Sequence, residues 1–246
     1  MKVLRREHVL KTRYLIKYTK GDEIKYVAHL DLMRTIQRIL RRSELPVEYS
    51  KGFNPHIILS IAQPLSVGVA SKGEYMDVEF KEEVDEKVIK DTLNNNTPIG
   101  IEILDVKKAK EKLGEKKTPP SMAAVKAADY KIVLKCVNQD IVEEGLKSLL
   151  SLDEWKIMKK TKKGEKEVNI RALIKNIDFE IKENKLYINT LVSCGSVDNL
   201  SAQIMSDYIK EHVDGIDKEA FVYIERQELY SYEQEKLVTL LEYLGQ

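Results

Sequence analysis

The sequence predicts an α+β fold built from two ferredoxin-like βαββαβ units in tandem, with antiparallel sheets. Segments with strand alternation and segments with helical spacing follow one another in the order strand, helix, strand, strand, helix, strand. The second half repeats that order and adds one hairpin. Between the halves lies Lys107–Pro120, KKAKEKLGEKKTPP, charge-dense, poor in apolar residues and closed by two prolines. The expected division is therefore a first unit over 1–108, a connector over 109–127, and a second unit over 128–246 ending in a helix.

In the first half, Arg13-Tyr14-Leu15-Ile16-Lys17-Tyr18 has the aromatic and β-branched content of a strand. A Gly21-Asp22 turn and a short extended piece near Tyr26-Val27 follow. From Leu30 to Ser43, apolar Leu32, Met33, Ile36, Ile39 and Leu40 recur at helical spacing. Pro46 closes that helix, because the residue before a proline is pushed out of the helical region. Ile57–Ile61 and Glu74–Phe80 read as strands, 84–94 as a helix and Ile99–Val106 as a strand. In the second half, Tyr130–Val137 reads as a strand and Asp140–Leu152 as a helix with Asp140 as N-cap. Trp155–Lys160 and Glu165–Ile174 flank a Lys-Gly tip, and Ile177–Lys182 with Lys185–Val192 form a hairpin. Asp198–Val213 is a helix and Ala220–Leu229 a strand. A final helix carries Leu237, Leu240, Leu241 and Leu244.

Composition bounds the function. The chain has 246 residues, enough for a sizeable core, with 41 basic and 40 acidic side chains. A whole-molecule charge argument for a nucleic-acid partner therefore fails. The distribution says more: up to Lys51 basic residues outnumber acidic ones about two to one, while the region after Asp198 leans acidic. No apolar run of about 18 residues is present, so no membrane-spanning helix is expected, and the first residues lack a secretory signal. Cys136 and Cys194 are the only cysteines. Two distant cysteines suit a reduced, cytoplasmic protein and cannot form a zinc ribbon or hold an iron–sulfur cluster alone. No cofactor or metal is expected.

The candidate binding residues cluster in 25–68. Arg34, Arg38 and Arg42 stand at i, i+4 and i+8, on the face away from Met33, Ile36 and Leu40, with Arg41 nearby. Guanidinium groups at that pitch suit phosphate oxygens, and only Asp31 and Glu44 could neutralise them along the helix. In the loop Tyr49–His56, Gly52 and Asn54 tolerate a left-handed backbone and Pro55 fixes the exit. With Lys51 and His56 this loop can form an anion-binding concavity. Phe53 is either its core anchor or a base-stacking platform. Lysines crowd a second tip around Gly164, among them Lys160 and Lys163, and Arg171 sits inside an apolar run. Ser193-Cys194-Gly195-Ser196 leads into a helix and can offer backbone amides to a phosphate, or serve only as a cap and turn. His29, beside Asp31, or His56 is a candidate general acid or base for RNA cleavage, although such a histidine more commonly packs at a helix start.

The motifs HLDLMR, SKGFNPH, PLSVGV and EYMDVEF, within the segment Tyr14–Phe80, together with EVNIRALI, resemble the radical SAM-linked protein family. The resemblance implies association with a cobalamin-binding radical SAM protein, fused or encoded beside it, rather than a known reaction. The positions that match are His29, Asp31, Arg34, Arg38, Lys51, Gly52, Asn54, Pro55, His56 and Arg171. This chain departs at Cys194-Gly195-Ser196, where the family is Gly/Ser-rich without cysteine, and it carries no CxxxCxxC motif, so it is not itself the radical enzyme. The doubled ferredoxin pattern is also similar to RAMP-type CRISPR RNA-processing endonucleases, without their glycine-rich C-terminal loop. The expected function is a non-enzymatic RNA-binding module that presents tRNA or rRNA to a radical SAM partner. The alternatives are a metal-independent endoribonuclease of RAMP-like fold and a protein–protein adaptor.

Overall fold

The computed structural model describes residues 11–110, 119–161 and 164–245. The first unit runs β1 (Thr12–Lys20), α1 (His29–Arg42), β2 (Leu59–Ile61), β3 (Ala70–Phe80), α2 (Glu86–Asn94) and β4 (Ile103–Lys108). After α3 (Ser121–Ala124), the second unit runs β5 (Ala127–Lys135), α4 (Gln139–Leu150), the strands β6 (Lys156–Thr161) and β7 (Gly164–Asn169), then β8 (Ile174–Lys182), β9 (Lys185–Ser193), α5 (Ala202–His212) and β10 (Tyr223–Glu233). β11 (Lys236–Thr239) and α6 (Leu240–Leu244) close the described chain.

Strand pairing gives the ferredoxin-like order in both halves. The first unit reads β4-β1-β3-β2 across the sheet, every pair antiparallel. The second reads β10-β5-β9-β8, again antiparallel, so β8 takes the place of the second strand and the β6–β7 hairpin is an insertion before it. The two units share one nine-stranded sheet. A short parallel ladder joins them, Ala70 opposite Glu225 and Ser71 opposite Arg226. β3 thus divides its outer edge between β2 and β10, and among the described residues this parallel join departs from the antiparallel sheets expected.

Both faces of the central strands are covered. Tyr14, Ile16 and Tyr18 of β1 face the core under α1 and α2, while Leu15 and Tyr75 belong to the second cluster, with Leu240 and Leu244 of α6. The connector's ends are docked: Ala109 bridges Gly245, and the Asp77 carboxylate accepts from Ser121 N (2.9 Å) and Ser121 Oγ (2.6 Å). Residues 111–118 of that connector lie outside the described residues.

Local details differ where tertiary partners compete with propensity. Leu237 lies in β11, paired with Tyr232, so the last helix starts only at Leu240, behind a capping box of Thr239 and Glu242. Asn138 rather than Asp140 caps α4, its side chain accepting from Ile141 N. Tyr26-Val27 is not extended into a strand; a 3₁₀ turn at Asp22–Ile24 precedes it. No helix among the described residues is long and apolar enough to cross a membrane.

Candidate nucleic-acid interface

α1 is held by one apolar stripe. Leu32, Ile36, Ile39 and Leu40 are buried, each worth about 1.5–3 kcal/mol of transfer free energy. Ser43 ends the helix, its hydroxyl donating to the Leu40 carbonyl at 2.8 Å, and Glu44 turns the chain with φ 55°. The opposite face is solvent. Arg34 Nη1 lies 2.8 Å from Asp31 Oδ1, both side chains more than half exposed (65% and 61%), so water screens the pair and leaves it little net strength. Arg38 and Arg41 are exposed, and no described residue bonds or pairs with them. Arg42 donates through Nη2 to the Asn96 carbonyl at 2.7 Å, which fixes its direction, and no described carboxylate pairs with it. The bland role for Arg41 and Arg42 is to complement the helix dipole in the last turn. That role does not extend to Arg38.

The 50–56 loop is a tip clasped at its base. Tyr49 bridges Ile57, Ser50 N donates to the His56 carbonyl (2.8 Å), and Ser50 Oγ and His56 Nδ1 share a hydrogen bond at 2.8 Å. Val47 and Ile57 anchor it in the core cluster that also receives α1. Gly52 takes φ 136° with open space around its Cα, which a side chain rarely allows, whereas Asn54 keeps a negative φ. Every residue from Lys51 to His56 is exposed. Phe53, at 106% exposure, is no core anchor.

The two candidate acid–base histidines do not converge. The loop base sits by the start of β1, with Lys11 Nζ 2.9 Å from Glu48 and Val47 bridging Phe80, whose partner is Thr12. His29 opens α1 beyond the other end of β1. No described residue hydrogen-bonds its ring, Ala28 rather than His29 is the N-cap, and Asp31 is engaged with Arg34.

The remaining candidates are scattered. The Arg171 guanidinium lies 6.0 Å over the Trp155 ring, its Nε buried and unbonded among the described residues. Trp155 in turn stacks on Tyr208 (5.2 Å) and Tyr208 on His212 (3.9 Å), a column that packs α5 against the hairpin base. In the hairpin Lys159 stands directly opposite Lys166, while Lys156 pairs with Glu154. The Lys160 side chain and Lys163 lie outside the described residues. In the Ser193–Ser196 segment, Gly195 (φ 155°) lets the backbone press against the Val125 carbonyl, where a Cβ would come within 2.5 Å. Burial pushes the Cys194 thiol up to about 11, which leaves it a poor nucleophile near neutrality.

Sequence reasoning missed a polar seam between the units. Glu74 and Arg226 are each 1% exposed, with Arg226 Nε donating to Glu74 Oε1 at 2.9 Å and Nη2 donating to the same oxygen and to the Gln63 carbonyl. Burial works against the charge on Arg226, but Glu74, Tyr130 and Cys194 together outweigh it and raise its pKa. Beside it, Glu228 accepts from Tyr75 Oη (2.7 Å) and pairs with Lys17. The clean alternation of Glu74–Phe80 gave no sign that its acids were interior.

Two ferredoxin-like units are joined edge to edge in one sheet, and the first carries an exposed basic helix and a clasped aromatic tip. By sequence the chain belongs to a bacterial family described as uncharacterized protein conserved in bacteria (DUF2344), whose pattern matches residues 13–202. Comparison with curated proteins finds no match. Among solved structures the chain is similar to a chain of a Cbf5-Nop10-Gar1 complex, with TM-score 0.46 and 10% identity over 88% of this chain and 48% of that one. It is also similar to an unknown protein from Galdieria sulphuraria, with TM-score 0.25 and 9% identity over 88% of this chain and 98% of that one. The chain therefore spans about half the length of the first of these.

Proposed function

We propose that this protein is a non-enzymatic RNA-binding module, presenting tRNA or rRNA to a radical SAM partner enzyme. The observation that carries the RNA reading is the α1 face: Arg38 and Arg41 are exposed without a described partner, and Arg34 has only a solvated one. Phosphates would sit on Arg34, Arg38 and Arg42, with Lys51 at the loop. Gly52, Asn54 and His56 would shape the tip around a nucleotide, and Phe53 would stack on an unpaired base. Arg171 and the hairpin lysines would add contacts of second rank. The partner rests on the sequence motifs alone, through their resemblance to radical SAM-linked proteins.

The test is fluorescence anisotropy with a tRNA pool across a salt series. Each phosphate contact contributes a slope of roughly −0.7 to −0.9 in log affinity against log salt. Arg34→Ala with Arg38→Ala should therefore flatten the slope by about 1.5 and weaken binding at least about tenfold near physiological salt. Wild-type protein without salt-sensitive RNA affinity would remove the proposal. Pull-downs of the radical SAM protein, with and without nuclease, address the partner separately; a nuclease-resistant complex would favour direct docking.

A further inference from the structure

A cleft opens where the two units meet, with a volume of about 70 Å³. Gln63 and Ser66, from the turn before β3, form one wall; Asn199 and Ser201, ahead of α5, form the other; Tyr130 and Arg226 line it from the sheet. Gln63 Nε2 donates to Asn199 Oδ1 at 3.3 Å, so the opening is spanned by one contact from each unit. The turn is the PLSVGV motif, which the α1 reading does not use.

Two buried cations share one buried carboxylate close to the cleft. Arg226 and Lys20 are both 1% exposed, and both feel the single carboxylate of Glu74. Among the described residues the Lys20 ammonium donates only to the Lys25 carbonyl, at 2.9 Å. Of the two cations only Arg226 lines the cleft, where its positive charge, partly offset by Glu74, faces an incoming anion. The walls supply donors that are not otherwise used. The Ser66 and Ser201 hydroxyls hydrogen-bond no described residue, and Ser201 does not cap α5 with its side chain. Tyr130, 7% exposed, lies beside the Arg226 guanidinium.

Size narrows the ligand. About 70 Å³ accommodates a group of the size of one phosphate. We infer that this cleft is a binding site for a tetrahedral oxyanion, a phosphate group held by Arg226, Ser66 and Ser201 at the junction of the two units. The phosphate is either free in solution or the terminal phosphate of an RNA strand. The site is independent of the α1 surface and stands whether or not that surface binds RNA.

The experiment has two arms. Inorganic phosphate is titrated into the protein by calorimetry at constant ionic strength in chloride, and anisotropy compares one short RNA with and without a 5′-phosphate. A saturable phosphate isotherm identifies the free ligand; a gain of about tenfold from the 5′-phosphate identifies the RNA-borne one. In either arm, Ser66→Ala with Ser201→Ala should weaken binding at least about tenfold, because hydrogen bonds to a charged group are among the stronger ones. Arg34→Ala with Arg38→Ala should weaken binding of both RNAs alike and leave the ratio of their affinities unchanged, which separates this site from the α1 proposal. Wild-type protein indifferent in both arms overturns the inference. So does a double serine variant that binds as tightly as wild type.

Discussion

Replacing Glu74 with glutamine removes one charge from the seam while keeping its shape. Glu74 and Arg226 are each 1% exposed, and Glu74 Oε1 takes two of the guanidinium's donors. Without the carboxylate, Arg226 keeps the Gln63 carbonyl but loses its counter-charge. Breaking a buried pair in this way costs about 3–5 kcal/mol, against a total stability of about 5–15 kcal/mol for a typical protein. For a chain of this size that is a fall in Tm of about 10 °C. Glu74→Leu with Arg226→Met takes both charges out and should lie within about 1 kcal/mol of wild type, or above it. Lys20 adds a pH signature. Burial lowers its pKa from 10.5, so between the folded value and 10.5 the unfolded chain binds more protons and stability rises with pH. Loss of Glu74 strengthens that dependence, so the Glu74→Gln deficit should shrink as pH rises towards 10.5. The assay is urea denaturation in phosphate-free buffer, followed by far-UV circular dichroism and by emission of Trp155, the single tryptophan, buried in the second unit. A Glu74→Gln variant within about 1 kcal/mol of wild type, or a double variant as weak as the single, would refute the reasoning.

Phe53→Ala should leave stability unchanged, since the ring buries nothing, and weaken binding of single-stranded RNA by about 1–3 kcal/mol; equal affinity of the two proteins in anisotropy would exclude stacking there. Cys136 and Cys194 are both buried, and burial raises both thiols, Cys194 to about 11. Native protein at neutral pH should therefore react slowly with a thiol reagent that labels both cysteines at once in urea, with the native rate climbing as pH approaches the thiol values; rapid native labelling would contradict this.

How much was legible follows from the range of the forces involved. α1 could be read because its buried positions, Leu32, Ile36, Ile39 and Leu40, repeat at the helix's own period and Pro46 lies just past its end. The doubled βαββαβ order could be read for the same reason, and the extra hairpin because a Lys-Gly tip separates two extended runs. Exposure of the arginine face followed from its position opposite the stripe. The clasp of Ser50 on His56 and the full exposure of Phe53 did not, because a loop's shape depends on hydrogen bonds that periodicity does not encode. Leucine spacing alone puts Leu237 in the last helix; pairing of β11 with β10 puts it in a strand.

Local periodicity and turn chemistry, written into neighbouring residues, were enough to establish an α+β chain of two similar units with a basic, amphipathic first helix. Only the folded chain could decide that β3 meets β10 along a parallel ladder, which buries Glu74 against Arg226 across 152 residues of sequence and opens a cleft beside them. The physical reason is that a charge's cost depends on what surrounds it. Those surroundings are assembled by contacts far apart in the chain, and nothing in the pattern around Glu74 differs from that of a solvated strand.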